Sequence, residues 1–393
     1  MATIKKLPPN KAGKIRYRAV VDIGDDPETG KRRQLTITRN TSAEVKAEIN
    51  RIAHERNTGS LVAPSKLTLD TWLDTWLERR APDVEASTLN GYRNALTHAR
   101  ARLGHLALQD ITEDHVIAFA SWLLMGARRR GGTPGTGLRA SSAAGALQRL
   151  RDALEYATVR NLINANPARF VHLPKMAVNA DRDAHPPVLP WNETEIRAFL
   201  AGVREDRLYA PFLLTMMGLR PAEVAGLRWA DIDLDAGTLS IINTRTMVGN
   251  AVTIEKKPKT QAGVRTLPLP EPVRRALMAF QLAQSTERHD AGEAYTLSGY
   301  MFTDELGVPL TTRQLRYQTY KAVDRLGLRR VRLYDARAAC LTLLAVSGVP
   351  DIVIAAWAGH AAVEVTKKHY LKPGVEALRQ HSGALAEVFS FKM

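Results

Sequence analysis

The sequence predicts a multidomain protein that is mainly α-helical and carries small β-sheets. At 393 residues the chain exceeds one ordinary domain. Alternating apolar and polar residues are confined to short segments, whereas long stretches repeat apolar residues at helical spacing. We expect an amino-terminal sheet-and-helix unit over 1–64, a four-helix domain over 65–173, a linker over 174–190 and a mixed α/β domain over 191–393.

The amino-terminal unit is strongly basic. Its first forty residues contain ten lysines or arginines and four acids. Two alternating segments, KIRYRAVVDIG and KRRQLTITRN, flank the turn-forming DDPETG, and a helix follows from a cap at Thr41 or Ser42 to near Gly59. A three-stranded sheet backed by one helix can place side chains in a DNA groove, although a solvated basic hairpin is the alternative. The side chains expected to contact DNA are Arg16, Arg18, Arg32 and Arg33.

The whole chain is basic as well, with 55 Lys plus Arg against 40 Asp plus Glu and a net charge of +15. This balance favours a polyanionic partner, with nucleic acid as the first candidate. No apolar run approaches the ~20 residues that span a bilayer, and the amino terminus lacks the apolar core of a signal peptide. Cys340 is the only cysteine, which excludes an internal disulfide and a multi-cysteine zinc site.

Four helices are predicted between residues 65 and 173. One begins at a cap on Ser87 or Thr88 and ends at Gly104, and the next begins at Thr112. Between residues 128 and 151 lie six arginines and no acid. A run of this kind is often only a solvated face, but the lack of acids favours phosphate contact through Arg139 and Arg149. The Pro-rich, polar segment that follows is typical of a linker.

Two arginines in the carboxyl-terminal domain lie in unusual settings. Arg220 stands before Pro221, where a helix start can present it outward, and Glu223 lies close enough to brace it. Arg337 lies on an otherwise apolar helix and therefore needs an anionic partner, for which a phosphate serves as well as a carboxylate. The neighbouring Asp335 is expected to tie down the turn.

A Gly-His pair stands before a tyrosine near the carboxyl end, with His360 ten residues before Tyr370. Guanidinium forks can hold the charge that builds up on an attacked phosphodiester. A tyrosine with its usual pKa of about 10 attacks well only beside cations and proton acceptors. We therefore predict a phosphate clamp with a tyrosine nucleophile. A metal site on His360 and His369 lacks further ligands at suitable spacing.

Four phrases resemble, in order, the conserved boxes of the tyrosine recombinase (phage integrase) family: GLRPAEVAGLRWADID, IEKKPKTQAGVRTLPLP, RLYDARAAC and WAGHAAVEVTKKHYLKPG. Lys259 matches the lysine that the family places on a β-hairpin to protonate the departing 5′ oxygen, with Lys256 and Lys257 as competitors. Tyr334 stands where the family usually has histidine. A phenol can hydrogen-bond a phosphate oxygen but cannot hold positive charge.

The resemblance implies a catalytic domain of the tyrosine recombinase type with a carboxyl-terminal tail helix. It also implies site-specific integration and excision through a 3′-phosphotyrosyl link, with no cofactor and no metal. The implied partners are double-stranded DNA attachment sites, three further copies in a homotetramer, a host accessory factor and an excisionase, in the cytoplasm of a bacterial host at the nucleoid. The implied catalytic residues are Arg220, Lys259, Tyr334, Arg337, His360 and Tyr370.

Two rival functions remain open at this point. A type IB topoisomerase uses similar chemistry on one duplex, although the basic amino-terminal unit better suits an enzyme that bridges two kinds of DNA site. A non-catalytic DNA-binding descendant of a recombinase is suggested by Tyr334. Relaxation of supercoiled plasmid without a specific site would favour the topoisomerase, and the absence of a covalent adduct with DNA would favour the non-catalytic descendant.

Overall fold

The structure is a computed structural model, and it is mostly helical with small antiparallel sheets, as predicted. The chain divides into two compact units, Met1–Pro186 and Pro187–Met393. That boundary falls inside the predicted linker, whereas the boundary between 64 and 65 stays a prediction. The residues that the structure describes are 3–9, 14–25, 32–58, 61–128, 131–186, 188–249, 252–258 and 260–360.

The first unit begins with a three-stranded antiparallel sheet. Its strands are β1 (Lys5–Leu7), β2 (Arg16–Asp25) and β3 (Arg32–Arg39), in the order β1-β2-β3. Helix α1 (Ser42–Asn57) covers one face, and the Thr41 side chain caps it, as predicted, by accepting from the Glu44 backbone N–H. The alternation of β2 therefore turns one row of side chains towards a small apolar core and the other towards solvent.

The predicted helices of the next segment are confirmed as α2 (Leu69–Arg80), α3 (Ala86–Leu103), α4 (Glu113–Met125) and α5 (Ala140–Val159). Their apolar faces share one core. Thr112 caps α4 in a capping box with His115, as predicted.

The predicted cap of α3 is wrong. The helix begins after Glu85, so Ser87 and Thr88 lie within its first turn. Val84 and Leu89 flank this start and belong to the same core, so apolar burial determines where the helix begins.

A short helix, α6 (Lys175–Ala184), lies within the segment interpreted as a linker. Its Asp181 accepts from the backbone N–H of Ala140 at 3.1 Å and pairs with Arg139 at 2.8 Å. This helix therefore packs on the start of α5. Composition alone did not indicate it, because the segment is polar and its partners lie far away in the sequence.

The second unit has seven helices and five strands in its described part. Helix α7 is capped by Asn192 in a capping box with Glu195. The buried side chains form one large core and a smaller cluster beside it. The helices are α7 (Glu193–Gly202), α8 (Tyr209–Met216), α9 (Pro221–Gly226), α10 (Glu271–Ala291), α11 (Thr312–Arg325), α12 (Leu333–Val346) and α13 (Asp351–Ala358).

The strands of this unit form two separate sheets. They are β4 (Ile232–Asp233), β5 (Thr238–Ile241), β6 (Thr244–Val248), β7 (Val252–Lys256) and β8 (Arg265–Pro268). Strands β7 and β8, which precede and follow the PKT phrase, do not pair with each other. Strand β7 forms a hairpin with β6, whereas β8 pairs with β5 in the sheet β4-β5-β8. The chain therefore passes from one sheet to the other between β7 and β8.

Within the described ranges, no helix combines the length and the apolar character that crossing a bilayer requires.

Candidate active site

Arg337 lies at the centre of the candidate site. Its side chain is fully buried on the first turns of α12. One terminal nitrogen donates to the Gly218 carbonyl at 2.7 Å, and the other donates to the Ala358 carbonyl and lies 3.1 Å from His360 Nε2. Because a guanidinium has only donors, this contact is a hydrogen bond when Nε2 is the acceptor, which is the His360 tautomer with its proton on Nδ1.

Arg220 enters the same site from the start of α9. It is the residue before Pro221, and Glu223 braces it as predicted. The Glu223 carboxylate accepts from the Arg220 backbone N–H at 2.8 Å and from Nη1 at 2.6 Å. The other terminal nitrogen of Arg220 donates to the Gly359 carbonyl at 3.4 Å. Arg220 therefore converges with Arg337 and the Gly-His pair, although it lies more than one hundred residues before them in the sequence.

Glu223 also binds Arg265, a further arginine of the site that the sequence interpretation missed. Arg265, at the start of β8, donates to the two Glu223 oxygens at 3.1 Å each and to the Trp357 carbonyl at 2.7 Å. Burial alone would raise the pKa of Glu223, but the hydrogen bonds and charges of Arg265 and Arg220 lower it. A sequence signal existed, since the alternation of β8 places Arg265 on the same face as the buried Leu267.

The carboxyl end of α13 is held from both sides. The Trp357 indole donates to the Met217 carbonyl at 2.9 Å, next to the turn that carries Arg220. Gly359 adopts a left-handed conformation with φ 63° and ψ 46°, as a residue ending a helix often does. The backbone N–H of His360 then donates to the Ala355 carbonyl at 3.0 Å. The imidazole position therefore depends on this turn.

The first turn of α12 presents Tyr334 to solvent, with 45% of the residue exposed. Asp335 is buried beneath it and accepts from the backbone N–H of Arg332 at 2.9 Å and from its guanidinium at 2.8 Å. Its predicted role in tying down the turn is confirmed.

Burial raises the pKa of Cys340 to about 12, so this thiol is a buried, un-ionised side chain.

Lys259 and Tyr370 lie outside the described residues, as does the predicted tail helix. The β6–β7 hairpin, which ends shortly before Lys259, is fixed to the rest of the unit through Glu255. This carboxylate accepts from Tyr300 and from Arg228.

The basic candidates of the amino-terminal sheet fall into two groups. Arg16 and Arg18 are exposed on the face of β2 opposite to α1. Arg32 is also exposed but pairs with Asp22 at 2.5 Å, and Arg33 is half-buried. The solvent-facing side of β2 therefore carries two arginines that can meet a phosphate backbone.

The two arginine candidates of the helical domain have intramolecular partners. Arg139 pairs with Asp181, and Arg149 pairs with Asp152 at 3.0 Å and lies 4.7 Å from the centre of the Tyr92 ring. Asp152 directly follows the window of residues 128 to 151 and Asp181 lies well beyond it, so the lack of acids within that window did not exclude ion pairs. DNA contact by these two arginines stays a prediction.

Among the residues that the structure describes, no group of three or more His, Cys, Asp and Glu side chains is arranged to hold a metal ion.

Comparison with known families agrees with this arrangement. The model of the phage integrase family matches residues 193–376, and that of the phage integrase N-terminal SAM-like domain matches residues 68–124. Together they cover more than half of the chain. The chain belongs to the phage integrase family of tyrosine recombinases. A similar relative is the tyrosine recombinase XerC-like protein of Caldanaerobacter subterraneus, 26% identical over 92% of this chain and 93% of the relative.

Solved integrase structures share the fold. The integrase of the transposon Tn1549, in complex with transposon right end DNA, matches 81% of this chain and all of the solved chain with a TM-score of 0.64 and 19% identity. The lambda integrase in a tetramer bound to a Holliday junction matches 94% of this chain and 98% of its own, with a TM-score of 0.53 and 17% identity.

Family membership makes this integrase a site-specific recombinase, an enzyme that breaks and rejoins DNA strands. The comparisons do not favour the topoisomerase or the non-catalytic alternative. The matched catalytic range contains every residue implied by the resemblance.

Proposed function

We propose that this integrase inserts and excises a mobile element at attachment sites in double-stranded DNA, with Arg220 and Arg337 as ligands of the scissile phosphate. The observation that carries the proposal is the convergence of both guanidiniums on Gly359 and His360 at the end of α13. Two fixed cations in a largely buried setting can stabilise the charge of a phosphoryl transition state with little reorganisation.

The proposed reaction conserves the energy of the phosphodiester. The Tyr370 oxygen bonds to phosphorus and loses its proton to a neighbouring base, while the bond from phosphorus to the 5′ oxygen breaks and Lys259 gives that oxygen a proton. A 3′-phosphotyrosyl link and a free 5′ hydroxyl result. The roles of Tyr370 and Lys259 rest on the family resemblance. A 5′ hydroxyl of a partner duplex can reverse the step without ATP.

The proposed assembly is a homotetramer on two duplexes, with strand exchange through a Holliday junction. Support comes from the lambda integrase, which has been solved as a tetramer bound to such a junction. A host accessory factor and an excisionase would set the direction of the reaction. The site of action would be the cytoplasm of the bacterial host, where the nucleoid lies.

A nicked substrate tests the proposed reaction. Sequencing the DNA beside the gene gives candidate attachment sites, and a duplex nicked next to the cleavage position traps the adduct because the short released strand diffuses away. The wild type should form a covalent adduct that a denaturing gel resolves, and Tyr370→Phe should form none. Failure of the wild type to form any adduct on its own site would exclude the proposed chemistry. Relaxation of supercoiled plasmids that lack the site would instead favour a topoisomerase.

The exposed face of the amino-terminal sheet is proposed to bind DNA at sites distinct from the cleavage site. Lys5 lies opposite Arg18 in the strand register, and Arg16 lies on the same face. Replacing Arg18 with glutamine should remove about one phosphate contact and lower the slope of log K against log salt by about 1. Titrations at several salt concentrations measure that slope. Replacing Lys46 in α1, which covers the opposite face of the sheet, should leave this slope unchanged. Equal changes of slope for the Arg18 and Lys46 variants would contradict the proposal.

Tyr334 is proposed to donate a neutral hydrogen bond to a phosphate oxygen. A neutral bond contributes about 0.5–1.5 kcal/mol, so Tyr334→Phe should slow covalent cleavage by roughly threefold to tenfold. Single-turnover rates on the nicked substrate measure this effect. A loss of 10³-fold would show that the phenol does more than bind. An unchanged rate would show that the hydroxyl does not contact the transition state.

A further inference from the structure

Arg265 is the one member of the buried ion cluster around Glu223 that the proposed mechanism does not use. Its side chain is 7% exposed, whereas that of Arg220 is 31% exposed. The two arginines share one carboxylate. Arg220 is therefore accessible from solvent, whereas Arg265 is buried against the same carboxylate.

The hydrogen bonds of Glu223 are divided evenly between its two arginines. Oε1 accepts from Nη1 of Arg220 and from Nη1 of Arg265, and Oε2 accepts from the Arg220 backbone N–H and from Nη2 of Arg265. A carboxylate offers about four lone-pair positions, so the acceptor capacity of Glu223 is filled. The cluster contains two positive charges and one negative charge, which leaves a net charge of +1.

We infer that Arg265 is a positioning residue that balances the charge of Glu223, so that Arg220 keeps a net positive charge for the scissile phosphate. Without Arg265, the buried carboxylate and Arg220 would form a neutral pair. Such a pair attracts a phosphate much less strongly than a cluster of charge +1 in a site with little solvent. The inference rests on the proposed function, because it assumes that Arg220 binds the phosphate.

A purely structural role for Arg265 makes a different prediction. Arg265 also donates to the Trp357 carbonyl at 2.7 Å and so holds the end of α13. If that contact were its whole function, a second change at Glu223 could only add damage. If charge balance matters, removing the Glu223 charge as well should restore the cation at Arg220. A double-variant cycle therefore separates the two roles.

The experiment measures the single-turnover rate of adduct formation on the nicked substrate, together with DNA affinity and thermal unfolding. Arg265→Gln should slow cleavage by about 30-fold, less than the roughly 10²–10³-fold cost of losing a group that itself contacts the transition state, while DNA affinity changes by less than about threefold. Arg265→Gln combined with Glu223→Gln should cleave at least about fivefold faster than Arg265→Gln alone. Arg265→Lys loses the bidentate fork but keeps the charge beside Glu223, and because charge is what the inference assigns to Arg265, this variant should remain within about fivefold of the wild type.

Arg207 supplies a matched control. Like Arg265, it donates both to a carboxylate through two nitrogens, here Glu287 at 2.5 and 2.8 Å, and to a backbone carbonyl, that of Thr303. Arg207→Gln should lower the unfolding temperature without slowing cleavage more than about threefold.

The inference is wrong if Arg265→Gln cleaves like the wild type, or if the double variant is no faster than Arg265→Gln. If Arg265→Gln does not fold, Arg265→Lys decides: a loss within about fivefold supports charge balance, and a larger loss overturns it. An absence of adduct with the wild type would instead refute the proposed function.

Discussion

Replacing Arg337 with lysine is expected to slow covalent cleavage by about 10³-fold, the cost of removing a guanidinium that stabilises a phosphoryl transition state. The guanidinium reaches the Gly218 carbonyl, the Ala358 carbonyl and His360 at once. A lysine ammonium cannot reproduce that planar fork, even though it keeps the charge. Adduct formation on the nicked substrate, followed in a single turnover, measures the loss.

The same change has a cost in stability that must be measured separately. Two buried carbonyls would lose a charged donor, which costs about 1–3 kcal/mol, so the assay temperature must lie well below the unfolding transition of the variant. Arg325→Lys is a suitable control, because Arg325 also donates to a backbone carbonyl, that of Gly202, and to a carboxylate on the surface. It should cleave at the wild-type rate. A rate for Arg337→Lys within tenfold of the wild type would contradict direct phosphate binding by Arg337.

Local sequence was sufficient for the parts of the site that depend on neighbouring residues. The turn before Pro221, the brace from Glu223 and the cap by Asp335 each involve residues three or fewer positions apart, and all three were predicted. The ordered family phrases then predicted that Arg220, Arg337 and His360 serve one site, and the structure brings them together.

Contacts between segments that are distant in the sequence could not be predicted from neighbouring residues. The pair of Arg265 and Glu223 joins residues 42 positions apart. Arg139 forms an ion pair with Asp181 on helix α6, and the polar composition of that segment did not indicate a helix. Strands β7 and β8 follow one another in the sequence, yet their hydrogen-bonding partners are β6 and β5. In each case the partner is chosen by packing of the whole unit, which the local pattern does not contain.

Gly359 is the second position where a small change should have a large effect. Its φ of 63° costs an alanine about 1 kcal/mol, and a Cβ there would lie 2.8 Å from both the Ala262 carbonyl oxygen and Nη1 of Arg265. Because the Ala262 oxygen belongs to the backbone, this clash can be relieved only if the backbone moves. Because His360 follows directly, Gly359→Ala should displace the imidazole and slow cleavage by about 10²-fold, the typical cost of a misplacement of about 1 Å.

Gly348→Ala separates this packing effect from backbone strain. Gly348 also has a positive φ, of 80°, but a Cβ there would meet nothing within 4 Å. The two variants should lose similar stability from the left-handed conformation, about 1 kcal/mol, while only Gly359→Ala should lose most of its cleavage rate. Thermal unfolding and single-turnover adduct formation measured on both variants give the comparison. Equal cleavage rates would show that the site tolerates movement of the α13 end, and that the position of His360 does not depend on the close approach of Arg265.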